Sequence, residues 1–129
     1  MNSPARTPNA YPYQNEPKWS KSEKAIARTA FDAALKRELQ QVMQQVKQKA
    51  NQINEPAQMW ALERYLTERR KEIDRKYDFR ISHMTRVFGM LLHERRISEQ
   101  ELHGLGEDKV TTIRSCAKFL SKGIARRGF

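Results

Sequence analysis

Three histidines and one cysteine are the side chains here best suited to holding a metal or starting a reaction. His83, His93 and His103 follow one another at ten-residue intervals, a spacing that fits no pair of metal ligands on one helix. Cys116 has no second thiol to pair with, and it stands three residues after Ile113 and four before Leu120. That spacing places it on an apolar face, where a cysteine packs as a small hydrophobe. Glycine-rich phosphate loops, nucleophile elbows and H-E-x-x-H patterns do not occur in the sequence. Carboxylates are plentiful, but each has a cation near it in sequence, the reverse of the setting that raises a pKa for general acid catalysis. The expectation is a chain with no catalytic residues, no metal and no cofactor.

The chemistry left is recognition. Trp60 has Arg64 and Arg70 close behind it, and tryptophan and arginine dominate the hot spots of protein interfaces. Ten residues of helix turn Arg70 to within about 80° of Trp60, so both can serve one broad surface. Trp60 falls beside the stripe that carries Met59 and Leu62, not squarely in it. Two readings stand: an aromatic of the core or of a dimer interface, or an exposed anchor for a partner.

Helices must position these residues. Three prolines fall within the first twelve residues and a fourth is Pro17, so only Pro56 interrupts the remainder. So few breakers and turn dipeptides argue against a sheet. Ser20 and Glu23 form an S-x-x-E capping box that opens a long first helix, running to Ile53. Its later apolar residues, Leu35, Leu39, Val42, Val46, Ala50 and Ile53, make a narrow stripe close to a coiled-coil seam. Glutamines fill the opposite face. A rod of roughly 50 Å exceeds the width of so small a domain, so part of the seam calls for a second chain, with an intramolecular bundle as the alternative. Asn54 caps a second helix with Pro56 in its first turn, and Met59, Leu62, Leu66, Ile73 and Tyr77 form its inner stripe. Ile81–Arg96 continues helically, with a bend near residues 78–82 left open. Ser98 and Glu101 make another capping box, Gly104 and Gly106 bound the short helix it opens, and a last helix carries Val110, Ile113, Ala117 and Leu120.

The organisation expected is a flexible N-terminal tail over 1–18, one helical domain over 19–122 and a basic tail over 123–129. The tail lacks the apolar core of a signal peptide. No run of about 18 apolar residues offers a membrane span, and a single cysteine suits a reducing cytosol. The formal net charge of +10 favours an acidic protein surface, a phosphate backbone or an anionic membrane without choosing among them. The rival function is a basic nucleic-acid-binding or scaffold protein, resting on Arg114, Lys118, Lys122, Arg126 and Arg127. Against it, cations and carboxylates are mixed between Glu63 and Arg80 and no helix-turn-helix spacing occurs, so no nucleic acid is expected.

The run Trp60-Ala-Leu-Glu-Arg-Tyr-Leu-Thr-Glu-Arg-Arg-Lys-Glu-Ile-Asp-Arg-Lys-Tyr-Asp-Phe-Arg80 resembles the signature of the fluorescence recovery protein family of cyanobacteria. The frame is a Trp, a Leu two on, an Arg ten on, then E-I-D-x-K-Y-D, matched by Trp60, Leu62, Arg70, Glu72, Ile73, Asp74, Lys76, Tyr77 and Asp78. Similarity extends over about residues 19–120, through Val87–Leu92, Glu101-Leu102, Asp108-Lys109 and Ile113. The resemblance implies an elongated all-α homodimer with a long-helix stalk and a small helical head, dimerising through Leu35, Leu39, Val42, Val46 and Ile53. It implies a cytoplasmic regulator, acting near the cytoplasmic side of thylakoid membranes. Its partner is the orange carotenoid protein, bound at that protein's C-terminal domain. Binding hastens return of the photoactivated red form to the orange form and its release from phycobilisomes. The implied contact residues are Trp60, Glu63, Arg64, Arg70, Arg86 and Phe88. Two of these depart from the family pattern: Arg64 stands where an acidic residue is usual, and Arg86 where an aromatic or aliphatic one is frequent.

Overall fold

The computed structural model describes residues 18–127, with side chains as far as Lys122. The predicted tail of residues 1–17 lies outside that range. The described residues are helical or irregular, with no strand among them.

Helix α1 spans Lys21–Asn51 and opens on the predicted box: Ser20 Oγ accepts from the Glu23 amide at 3.1 Å, and Glu23 Oε1 accepts from the Ser20 amide at 2.9 Å. Helix α2, Pro56–Lys76, follows after four residues. Its N-cap is Glu55 rather than the expected Asn54, because the Gln58 side chain accepts the amides of both Asn54 and Glu55. The links from α1 to α2 pair Glu38 with Lys76, Glu38 with Arg69, and Gln45 with Tyr65. Later residues of one helix meet earlier residues of the other, so the two run antiparallel.

The bend left open in the sequence is a full break. After Tyr77 the backbone is irregular through Arg80, a 3-10 turn covers Ile81–His83, and helix α3 spans only Met84–His93. Beyond α3 the chain turns at Arg95, whose φ is 62°, and the Arg96 amide reaches back to the Leu91 carbonyl at 2.8 Å. That is the six-residue closure which usually places glycine at the left-handed position. The second capping box, Ser98 with Glu101, opens a 3-10 turn, Glu99–Leu102. Helix α4 spans Glu107–Arg127, so its backbone runs on past Gly123, where the sequence places a tail.

The core gathers where α1's first half meets α3 and α4. Ala27, Ala30, Phe31 and Ala34 pack with Met84, Val87, Phe88, Leu91, Ile97, Leu102, Leu105 and Ile113. Small residues on α1 let the helices close in, and Gly89 does the same on α3, where any Cβ would collide with that of Cys116. Cys116 itself is half-buried. Trp19 seals the N-terminal end, with Lys109 Nζ 5.6 Å from its ring.

Candidate interaction site

Away from that core, the stalk formed by α1's second half and α2 covers its apolar residues poorly. Val42 and Ile73 are its only buried hydrophobic residues, whereas Leu39, Met43, Met59, Trp60 and Leu66 are exposed. Met59 and Leu66, expected on the inner stripe of α2, therefore lie outside it. Their seven-residue spacing holds them on one line, and Leu39 with Met43 gives α1 a matching flank. Within the expected seam Val42 turns inward, Leu35, Val46 and Ile53 are half-buried, and Leu39 is open. Periodicity located the apolar faces; it did not say which of them this chain covers itself.

Trp60 is 54% exposed, which removes the core reading within one chain. Counting 100° per residue, it stands about 180° around α2 from Arg69, the side chain that reaches in to α1. Glu63, Arg64 and Arg70 are exposed on the outer side with it. Arg70 has only a 4.0 Å approach to Asp74, and Arg64 has no ionic partner among the described residues, so both guanidiniums remain available. The other two expected contact residues lie elsewhere. Arg86 is on α3, lining a cavity at the elbow. Phe88 is fully buried in the head core, and the expectation of a partner contact there is corrected: its ring fills the α1–α3–α4 junction.

What joins stalk to head is a buried carboxylate that the sequence reading passes over. Glu38 sits on α1's inner line, four residues after Ala34 and four before Val42, and its side chain is wholly covered. Lys76 Nζ donates to both its oxygens at 2.9 Å, Arg69 to one at 2.9 Å and the Tyr77 hydroxyl to the other at 2.8 Å, while Arg96 Nε comes within 3.1 Å. Burial alone pushes this carboxyl's pKa up; the donors from Lys76, Tyr77 and Arg69 outweigh it and hold the group ionised, below its usual range. Burial and the adjoining Glu38 push the Tyr77 hydroxyl well above its ordinary range. A carboxylate flanked four residues on each side by apolar inner positions is the one sequence signal that points to such a node.

Just past the break, Asp78 binds Arg80 and His83, the shortest contact being 2.6 Å to Arg80. The Arg80 hydrogen bonds, then that from His83, hold its carboxyl far below the usual range. His93 pairs with Ser121 at 3.3 Å, so these two histidines serve local packing at separate places. At the far end of the head, Arg114 is spent on Glu99 at 2.7 Å, which weakens the basic end on which a nucleic-acid reading rests. No helix among the described residues is long and apolar enough to cross a membrane.

Comparison with known proteins agrees with these features. Residues 19–117 match the family model described as the photoprotection regulator fluorescence recovery protein. The fluorescence recovery protein of Synechocystis sp. is 37% identical over 103 residues, which take in 80% of this chain and 94% of that protein. The solved structure of the Fremyella diplosiphon fluorescence recovery protein is similar with a TM-score of 0.75 at 38% identity, covering 78% of this chain and 99% of that one. The Synechocystis structure gives 0.76 at 37% identity with the same coverage.

Proposed function

The chain belongs to the fluorescence recovery protein family of photoprotection regulators, and from that premise we propose that it docks on the photoactivated orange carotenoid protein through the outer face of α2. Docking on that protein's C-terminal domain hastens return to the orange form and release from phycobilisomes, so that antenna fluorescence recovers. The observation that carries this reading is Trp60, more than half exposed in a ring of Glu63, Arg64 and Arg70. A tryptophan left in water is a cost to the free protein that binding removes, and two uncommitted guanidiniums beside it offer forks to acidic side chains. The mechanism is a population shift: a protein that binds the compact or closing state of its partner better than the open one favours the way back.

A second copy of the chain accounts for the flank that Trp60 does not use. Met59 and Leu66 lie roughly 100–120° around α2 from Trp60 by helix geometry, on the same side as Arg70, so their line borders the docking face along its Arg70 edge. Covering them together with Leu39 and Met43 makes a homodimer through the stalk and leaves Trp60 and Arg64 free, with Arg70 at the border between the two surfaces.

The test is kinetic. Purified protein is mixed with photoconverted orange carotenoid protein in darkness and the red-to-orange decay is timed. A decay that accelerates with protein concentration is expected; an unchanged decay at large excess overturns the proposal.

A further inference from the structure

We propose that the elbow between stalk and head is a binding site for a free multivalent phosphate anion, held by Arg75 and Arg86. A cavity of about 690 Å³ opens there between the end of α2, the irregular segment after it and α3, a size in the range of small-molecule sites. Most of its lining residues are charged, Val87 and Met90 being the exceptions, and the charges do not cancel. The four carboxylates that line it are all engaged. Glu38 is held by Arg69, Lys76 and Arg96; Glu72 by Arg69; Asp78 by Arg80; and Glu94 by Lys76 and Arg96. These ion pairs consume four of the six cations in the lining. Arg75 and Arg86 also line the cavity, and neither has an ion pair or side-chain hydrogen bond among the described residues.

Two unneutralised guanidiniums from different helices therefore line one concave, solvent-open space. A cleft lined by an excess of one sign of charge focuses its field on an incoming counter-ion. Arginine presents paired donors in a planar fork that matches the oxygens of phosphate, and two such forks match two phosphoryl groups better than one carboxylate. Pyrophosphate, with several negative charges at neutral pH, balances both cations, whereas a single carboxylate leaves one unbalanced. Because Arg75 belongs to α2 and Arg86 to α3, a bound anion ties stalk to head across the break in the α-helical ladder. The site lies about 22 Å along α2 from Trp60, from fifteen residues of rise, and anion binding is read on the protein alone, so the proposal does not rest on the identity of the partner.

Titration calorimetry and thermal unfolding with sodium pyrophosphate test the proposal, against sodium chloride at matched ionic strength and against citrate as a carboxylate probe. Saturable binding of one pyrophosphate per chain is expected, with a rise in unfolding temperature beyond the chloride control. Arg75→Gln and Arg86→Gln should each weaken binding at least tenfold, and Arg86→Lys should keep part of it. Lys47→Gln, an exposed cation on α1 far from the cavity, should change nothing. Circular dichroism confirms that each variant is folded, as expected for exposed side chains without partners. A pyrophosphate response no larger than that of chloride overturns the site. So does equal weakening by Lys47→Gln, which marks diffuse charge attraction, or unaltered binding in both arginine variants. Citrate binding tighter than pyrophosphate at the same arginines overturns the phosphate assignment.

Discussion

Helix α1 passes through two different surroundings. From Ala27 to Ala34 it presents three alanines and a phenylalanine to a closed apolar core shared with α3 and α4. From Glu38 onward it presents a carboxylate, one buried valine and Gln45 to α2, with Arg96 reaching Glu38 and Gln41 from beyond α3. The head has what a small domain needs, a contiguous core that excludes water. The stalk has buried hydrophobic residues only at Val42 and Ile73 and leaves five large ones in solvent. Even a helix of 31 residues in a protein draws most of its stability from packing of one face and not from propensity. Within one chain the stalk draws on polar links to α2 and on its own two buried hydrophobic residues. One end of the molecule covers its own apolar residues; the other leaves an apolar flank open, where a second copy is proposed to pack.

The sharpest probe of this contrast is the node at the boundary. Glu38→Ala leaves Arg69, Lys76 and Arg96 converging without their anion, and breaking a buried ionic cluster by removing one partner costs about 3–5 kcal/mol. Urea unfolding followed by circular dichroism should record that loss, with the stalk releasing before the head. A loss under 1 kcal/mol means the two regions are not joined through Glu38.

Trp60→Ala should cost about 2 kcal/mol of binding to the carotenoid protein, a thirtyfold loss, with fold stability nearly unchanged because the ring is largely in water. A mutant that melts early while binding as before reverses the assignment of Trp60. On the neighbouring flank, Leu39→Glu combined with Met43→Glu puts like charges where two stalks are proposed to meet. Sedimentation at micromolar concentration should then show a monomer with an intact head, while the parent protein sediments as a dimer. A parent already monomeric leaves the flank to another occupant.

The smallest effect expected is acid sensitivity at the head's N-terminal end. Glu23 accepts the Ser20 amide and then the Gly106 amide at 2.7 Å, with Lys109 Nζ 3.0 Å away. These hold its pKa at about 2, against an ordinary value of 4.5. A carboxyl depressed in the folded state adds stability that is fully present above about pH 4.5 and is lost as pH falls toward 2. Glu23→Gln should flatten that part of the stability–pH curve; an unaltered slope assigns the acid loss to other carboxyls.

How much of this could be read from the sequence follows the reach of each interaction. The Ser20–Glu23 box is local, and it marked the start of α1 to the residue. The Trp60–Arg80 run carried the family, because that pattern depends on residue types and not on packing. The break after Lys76 had no proline or glycine to announce it; Tyr77 leaves the helical path to meet Glu38 and, 5.4 Å away edge-on, the ring of Phe31. Those partners are some forty residues earlier in the chain. Phe88 shows the converse. It stands one residue after Val87 and three before Leu91, a spacing that suits one apolar helix side, and its burial agrees with that spacing over the contact role carried across from the family.

The inner line of α1 has a further consequence. Ala27, Phe31, Ala34, Glu38 and Val42 advance by 4, 3, 4 and 4 residues, so fifteen residues take four turns. At 100° per residue the line winds by about 60° between its ends. The direction in which the stalk faces, seen from the head, is thus set by arithmetic along one helix. A single residue inserted between Ala34 and Glu38 swings everything beyond it by about 100°, whereas seven inserted residues bring it back to within about 20°. Residue count along α1 acts as an angular dial, and lengthening by whole heptads changes the molecule's reach while nearly preserving its aim.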